Sequence, residues 1–354
     1  MTHDAAGSHA GATRLVRTLL AVYALLIVYA SLYPLEGWRD PGVSPLSFLG
    51  AALPHRVSGF DVVINVLGYM PVGFLGYAVL RPERRERQAL LLASVGALVL
   101  SLAMEALQNY LPARTASNLD VASNALGAAL GAAAALVALP RVRWHRLREL
   151  FLPGHDIDLG LVLLGLWLFV QLNPATLLFG AGDLRQLLDT APSRGQGPQF
   201  FIRTEAFIAA ANLLAVGLLL SSLLAPGRRA RLLLIGLLGA ALVVKAAAFA
   251  VLMQAEQLFA WLTPGAQAGL AAGLAAALAA LALPRTARLV LAAVLVMAAT
   301  VLVNLVPPNP YLAATLKVWQ QGHFLNFNGL TRLVGTLWPF ATLGYLIFLA
   351  SRRR

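Results

Sequence analysis

The sequence has no cysteine among its 354 residues and unusually few charged ones. Without cysteine, the chain can form no disulfide, no thiolate zinc site and no cysteine-ligated iron–sulfur cluster, and it has no cysteine nucleophile. Charged residues make up 12% of the chain, about half of the roughly 25% typical of soluble domains. Hydrophobic residues make up 59%, and the mean hydropathy is +0.74. This composition argues against a soluble globular protein and favours a membrane protein.

Several motifs that mark common enzymes are also missing. The six histidines are scattered, with no H-x-x-x-H or H-E-x-x-H pair, so we predict no metal site. The sequence contains no phosphate-binding P-loop, no dinucleotide-binding glycine fingerprint and no serine hydrolase elbow. We therefore expect no cofactor.

Long apolar runs dominate what is present. A bilayer core of roughly 30 Å needs about 20 residues of helix, and ten segments of suitable length and composition occur. The predicted fold is therefore all-α, a polytopic transmembrane helix bundle of about ten spans. The predicted spans cover residues 15–33, 61–80, 89–108, 119–139, 157–179, 205–224, 232–253, 267–283, 287–306 and 333–350.

The basic residues predict how these spans are oriented. If the N-terminus is cytoplasmic, 18 of the 27 lysines and arginines fall on inner segments, 8 on outer segments, and Lys245 alone lies inside a span. Cytoplasmic loops of membrane proteins carry such an excess of basic residues. We therefore predict a multi-pass protein of the cell (plasma or inner) membrane with both termini cytoplasmic. The net charge of +12 then reflects orientation, and we expect no nucleic-acid partner.

The pattern of spans divides the chain into three parts. Residues 1–13 are predicted to be a disordered cytoplasmic tail, residues 14–140 a four-helix transmembrane unit, and residues 141–354 a six-helix extension of unknown role. P-V-G-F-L-G-Y at 71–77 resembles P-F-A-T-L-G-Y at 339–345. This similarity indicates either a degenerate internal repeat or chance agreement between sequences rich in alanine, leucine and glycine.

Polar side chains concentrate at one end of the second, third and fourth spans. Asp61 and Asn65 begin the second span, and Asp120 and Asn124 begin the fourth, each pair four residues apart and so on one helix face. Glu105 lies 17 residues beyond Gln88, roughly 25 Å along the third span. With Arg114 between the spans, these groups are predicted to meet near the extracytoplasmic interface. The candidate binding residues are Asp61, Asn65, Glu105, Gln108, Arg114, Asp120 and Asn124.

This cluster has two interpretations. Intramembrane ionisable groups are costly and often functional, so one interpretation is a pocket for a ligand headgroup, with Glu105 or Asp120 as a candidate general acid or base. Alternatively, it is a buried ion-pair network that fixes helix register. Three carboxylates face one guanidinium, so a protonated carboxyl group, a bound cation or a further arginine would have to balance the charge.

The spaced motif resembles that of the VanZ-like family of membrane proteins over roughly residues 15–140. The resemblance implies a multi-pass helical protein associated with low-level resistance to teicoplanin-type glycopeptides and lipoglycopeptides. It implies no mechanism, because the biochemical activity of the family is not established, and it does not extend to residues 141–354. The motif positions are Asp61, Asn65, Pro71, Gly73, Glu105, Gln108, Arg114, Asp120, Asn124, Gly127 and Gly131.

Three kinds of function are compatible with these features. The first is a protein that engages a membrane lipid or lipid-linked envelope precursor by its headgroup at the extracytoplasmic face, contributing to envelope homeostasis or teicoplanin tolerance. The second is a membrane-embedded enzyme that acts on a headgroup through Glu105 or Asp120. The third is a small-molecule or lipid transporter, although transporter sites usually lie near the bilayer midplane. A structural scaffold without a ligand is the remaining alternative, and the sequence does not predict the oligomeric state.

Lys245 is the only basic residue inside a predicted span. Glu205 and Glu256 are its candidate partners, but Glu256 is about 16 Å away along the same helix. The lysine either snorkels or sets helix register, or it belongs to a second polar site.

Overall fold

The computed structural model describes residues 2–52, 59–141, 144–185, 196–226, 229–253, 257–307, 309 and 325–352, with only the backbone described for 2–13, 144–145 and 325–326. These residues form eleven α-helices and no β-sheet, although Phe151 and Leu224 make an isolated bridge. Eight of the helices are long and apolar enough to cross a membrane. The predicted all-α class is confirmed, and the chain has the character of a multi-pass membrane protein.

The chain divides into two compact units, residues 1–149 and residues 150–354, whereas the sequence analysis set this boundary after residue 140. The first is called unit 1. Its helices are α1 (Thr2–Leu32), α2 (Gly59–Leu80), α3 (Glu86–Gln108), α4 (Asn118–Ala138) and the short α5 (Trp144–Arg148).

Helix α1 begins earlier than the sequence analysis expected. The helix runs from Thr2, so it includes nearly all of the segment 1–13 that was predicted to be a disordered tail. Four alanines contribute high intrinsic helix propensity to that segment, and two glycines oppose it. The apolar part of α1, Arg14–Leu32, matches the first predicted span.

Close packing of α2 against α4 holds unit 1 together. A Cβ atom added to Gly73 of α2 would overlap the backbone of Ala128 in α4, and one added to Gly127 or Gly131 of α4 would overlap the backbone of α2. In a bilayer, helices associate through van der Waals packing, so small residues that let backbones approach are favoured at interfaces. The glycines therefore fix the positions of the polar residues that begin α2 and α4.

Unit 2, residues 150–354, is built around one central helix. The apolar stretch of this helix, α7 (Pro198–Leu223), is 78% buried, against at most 44% for any other candidate membrane span. Gly269 and Gly273 of α9 (Pro264–Ala280) lie against Ala206 and Ala210 of α7. The helices of unit 2 are α6 (His155–Val170), α7 (Pro198–Leu223), α8 (Ala230–Leu252), α9 (Pro264–Ala280), α10 (Arg285–Leu305) and α11 (Leu325–Ser351).

Two predicted spans correspond to helices of fewer than 18 residues. The fifth, predicted for 157–179, is α6, which ends at Val170. Pro174 explains this end, because a proline disfavours helical conformation at the residue before it. The eighth, predicted for 267–283, is α9, an apolar helix of the same 17-residue length that begins and ends three residues earlier. The eight long helices and these two shorter ones together account for about ten spans.

Candidate functional site

Two predicted binding residues, Arg114 and Gln108, donate hydrogen bonds to backbone carbonyl groups at the end of α1. Arg114 donates through Nη2 to the carbonyl oxygen of Ala30 at 2.6 Å and through Nε to that of Tyr33 at 3.1 Å. Gln108 donates to the carbonyl oxygen of Ser31 at 3.0 Å. The last carbonyls of a helix have no partner within the helix, and a cation complements the helix dipole there. Arg114 and Gln108 therefore position the backbone around the site.

Glu105 is the most deeply buried acid of the cluster, with 3% of its surface exposed. Its Oε2 atom accepts a hydrogen bond from the backbone N–H of Ser117 at 2.8 Å. Ser117 is the N-cap of α4, and its hydroxyl accepts from the backbone N–H of Leu119 at 3.2 Å. In a capping box, the side chain at the third helical position, here Asp120, would bind the N-cap N–H. Glu105 occupies that N–H instead.

Asp120 is therefore available for other contacts. It is half-buried and accepts a hydrogen bond from the side chain of Asn65. The exposed Asp61 lies close enough to interact with it electrostatically, and so does Arg114. The structure thus brings the four ionisable candidates into one cluster, and this cluster reaches the surface at Asp61, Asn65 and Asp120.

The charge of the cluster is negative when all its carboxyl groups are ionised. Burial lowers the pKa of Arg114, and the nearby charges of Glu105 and Asp120 act in the opposite direction. An arginine nevertheless stays protonated in proteins, so one guanidinium faces three carboxyl groups. Among the described residues, no group of three histidine, cysteine, aspartate or glutamate side chains is arranged to hold a metal ion. The exposed part of the cluster is suited to accept hydrogen bonds from hydroxyl or ammonium groups.

Asn124 lies deeper and forms a different contact. Its amide donates to the hydroxyl of Ser101 on α3 at 3.0 Å, and both residues are buried. The buried Tyr69 of α2 has its hydroxyl beside Ser101. Asn124 thus joins α3 to α4 inside the unit and does not reach the exposed part of the cluster.

The loop between α1 and α2 packs beside the cluster. Asn109 donates to the carbonyl oxygen of Pro45 at 2.6 Å, and Asn118 donates to that of Ala51 at 2.8 Å. A row of apolar side chains on this loop is exposed, each by 44–53%. These residues are Leu35, Trp38, Val43, Leu46 and Leu49. Exposed apolar side chains that include tryptophan are typical of membrane–water interfaces.

The sequence analysis did not include Ser117 or this loop in the site. A serine three residues before an acid is a recognisable helix start, so the spacing of Ser117 and Asp120 could have indicated the N-cap. The hydrogen bond to Glu105 joins residues 12 positions apart, and no local pattern marks it.

The described hydrogen bonds of Lys245 are to the segment after α6. It is fully buried, and its ammonium group donates to the carbonyl oxygens of Asn173 at 2.7 Å and Thr176 at 3.0 Å, and to the hydroxyl of Thr176 at 3.3 Å. Glu205 contacts Thr263 and Gly265, and Glu256 lies outside the described residues. Lys245 thus stabilises the turn after α6 through hydrogen bonds to its backbone.

Comparison with known proteins identifies the source of the unit 1 motif. A family model described as VanZ/LLP1 matches residues 17–139. Searches of curated proteins and of solved structures found no match. The matched range runs from α1 through α4, so it contains every residue of the cluster. The family resemblance predicted from the spaced motif is confirmed: residues 17–139 of this membrane protein match the VanZ/LLP1 family.

Proposed function

We propose that unit 1 binds the headgroup of a membrane lipid or lipid-linked envelope precursor at the extracytoplasmic face of the cell membrane. By this binding, the protein lowers the susceptibility of the cell to teicoplanin-type lipoglycopeptides. The observation that carries the proposal is the convergence of Asp61, Asn65 and Asp120 at the exposed edge of an otherwise buried polar cluster.

The charge of this edge selects the kind of headgroup. Carboxylates accept hydrogen bonds and repel anions, so a bare phosphate is disfavoured beside Asp61 and Asp120. Sugar hydroxyls and amines are donors, and they match the carboxylate oxygens of this edge. Arg114 and Glu105 hold the surrounding backbone and so act as positioning residues for Asp120.

The neighbouring loop supports a site at the membrane interface. Trp38 and Leu46 are 47% and 51% exposed on a loop that contacts the start of α4. An apolar loop in the interface would keep the exposed carboxylates at headgroup depth. The opposite end of α3 carries the arginine-rich segment 81–87, which the positive-inside rule places in the cytoplasm.

Expression in a glycopeptide-susceptible bacterium tests this function. The wild-type chain should raise the minimum inhibitory concentration of teicoplanin more than that of vancomycin, because the lipid tail of teicoplanin makes it depend on the membrane surface. Asp120→Asn should lose this effect at equal membrane abundance. Glu86→Gln is the matched control, because Glu86 is an exposed acid at the other end of α3, paired only with Arg81 among the described contacts. Unchanged susceptibility to both antibiotics in the wild-type strain would contradict the proposal.

Asp120 also allows a test of the enzymatic alternative. If Asp120 acts as a general acid or base, expression should change the chemical composition of the extracted envelope lipids. If unit 1 only binds, the lipid species should stay the same and only their accessibility should change. The lipid extracts of the wild-type and Asp120→Asn strains separate the two cases.

A further inference from the structure

Unit 2 contains a cavity of about 90 Å³. It lies where α7 and α11 begin and α10 ends, and the segment after α6 forms one wall. Phe201, Ile208 and Val303 give it an apolar lining. None of its lining residues falls within the range that matches the VanZ/LLP1 family.

The wall of the cavity is held by hydrogen bonds from three directions. The backbone N–H of Gly182 donates to the carbonyl oxygen of Gly335 at 2.8 Å. Asn304 donates to the carbonyl oxygen of Gly182 at 2.7 Å and accepts from the N–H of Leu184 at 2.7 Å. Lys245 fixes the beginning of the same segment. This bonding preorganises the cavity, which lowers the cost of ordering it around a ligand.

The rim carries an excess of positive charge among the described lining residues. Asp183 and Arg185 form a two-pronged ion pair, with N···O distances of 2.9 and 2.5 Å. Burial alone would raise the pKa of Asp183, but hydrogen bonds from Arg185 and the charges of Arg185 and Arg332 lower it. The exposed Arg332 therefore adds a second cation beside a single carboxylate.

An acidic side chain lies on a different wall of the cavity. Glu205 is 6% exposed and lines the cavity from α7. Its carboxyl group lies against the start of α9, where Thr263 hydrogen-bonds to it and a Cβ atom on Gly265 would come within 2.6 Å of Oε2. Among the described lining residues, the α7 wall thus presents a buried acid, and the rim presents a second cation beside the Asp183–Arg185 ion pair.

We propose that this cavity binds a small zwitterion that carries a primary ammonium group and a phosphate. The ammonium group enters to hydrogen-bond with Glu205, and the phosphate stays at the rim with Arg332, since guanidinium groups bind phosphate strongly. Phosphoethanolamine has this chemistry, either as a soluble molecule or as the headgroup of a phospholipid. All residues of this site belong to unit 2. The proposal is therefore independent of the headgroup site proposed for unit 1.

The test measures ligand binding to the purified full-length chain. Native mass spectrometry would count phosphatidylethanolamine retained from nanodiscs, with phosphatidylglycerol as the lipid that lacks the ammonium group. Thermal unfolding in detergent would be measured with soluble glycerophosphoethanolamine and with ethanolamine alone. We expect selective retention of the zwitterionic lipid, or a higher unfolding temperature with glycerophosphoethanolamine than with ethanolamine. If only phosphatidylethanolamine binds, the ligand of the cavity is a lipid headgroup. If glycerophosphoethanolamine binds as well, the cavity also accepts the soluble zwitterion.

Variants assign the binding to the cavity. Arg332→Gln and Glu205→Gln should each weaken it at least about tenfold, as expected for loss of a charge-assisted hydrogen bond. Arg203→Gln is the matched control, because Arg203 is an exposed arginine on α7 that does not line the cavity. Arg332 is exposed at the rim, so its variant keeps the test valid even if Glu205→Gln does not fold. Equal binding of both lipids without any response to glycerophosphoethanolamine, no binding of either zwitterion, or unchanged binding in Arg332→Gln would overturn the proposal.

Discussion

Buried hydrogen bonds to the backbone decide which polar residues of unit 1 can meet a ligand. Glu105 binds the N–H of Ser117, and Arg114 binds two carbonyl groups at the end of α1. These contacts satisfy backbone groups that would otherwise be costly to bury. They leave Asp120 and its neighbours as the exposed part of the cluster, which is why we place the ligand there.

Replacing Glu105 tests its positioning role. Glu105→Ala should lower the free energy of unfolding by about 1–3 kcal/mol, because it leaves the buried N–H of Ser117 without an acceptor. Glu105→Gln keeps an acceptor oxygen and should cost less. Denaturant titration in detergent measures both values. If the alanine variant were as stable as the wild type while the family-associated tolerance disappeared, Glu105 would act on the ligand and not on the fold.

Lys245 provides the corresponding prediction for unit 2. Lys245→Met should destabilise the protein by about 1–3 kcal/mol, because the buried carbonyl groups of Asn173 and Thr176 lose their donor. Arg231→Met on the same helix is the control, since Arg231 is exposed. Thermal unfolding of the two variants would compare them. Equal unfolding temperatures would show that the ammonium group contributes nothing to the turn after α6.

At the scale of whole helices, close contact between glycine and backbone sets the position of the site. Gly127 and Gly131, which follow Asp120 and Asn124 along one face of α4, lie directly against the backbone of α2. The structure shows that Gly73 makes the reciprocal contact from α2. Since α2 and α4 both begin at the polar cluster, their register fixes the distance between Asn65 and Asp120.

Two alanine substitutions on α2 test this packing. Gly73→Ala should destabilise unit 1 by about 1–3 kcal/mol, because the new methyl group overlaps the backbone of α4. Gly68→Ala has open space, so it should be neutral or stabilising by about 0.5–1 kcal/mol through higher helix propensity. Unfolding in detergent by circular dichroism would record both. A stable Gly73→Ala variant would mean that α2 and α4 are not held as closely as described.

Element-scale features also show what the sequence could and could not predict. Hydropathy located the membrane helices because a bilayer imposes a minimum apolar length. It overextended α6 to residue 179, because the apolar residues after Pro174 lie in a folded segment and not in the helix. Helical periodicity grouped Asp61 with Asn65. It could not show that Arg114 would donate hydrogen bonds to carbonyl groups at the end of α1. That contact joins residues more than 80 positions apart.

For the whole molecule, composition and charge led to the same class of protein as the structure. Few charges and many apolar residues predicted a helical membrane protein, and eight long apolar helices agree with it. The spaced polar motif predicted the family over unit 1. The cavity of unit 2 was not predicted, because Asp183 and Arg185 lie in a connecting segment with no recognised motif, and only the fold brings them near Glu205.

The absence of cysteine allows a clean test of orientation. A single cysteine introduced at the exposed Ser44 should react with a membrane-impermeant maleimide in intact cells. One introduced at the exposed Arg84 should react only after the membrane is permeabilised. The expectation follows from the excess of basic residues on the segments predicted to be cytoplasmic. The reverse labelling pattern would invert the predicted topology and place the unit 1 cluster in the cytoplasm.

The central claim is that Asp120 and its neighbours bind a headgroup, and lipid retention tests it most directly. The full-length chain would be purified gently from the expressing bacterium, and its bound lipids would be identified by mass spectrometry. We predict that the wild type and Glu86→Gln retain the same headgroup class, and that Asp120→Asn loses it while staying folded. Identical bound lipids in all three proteins would contradict the account.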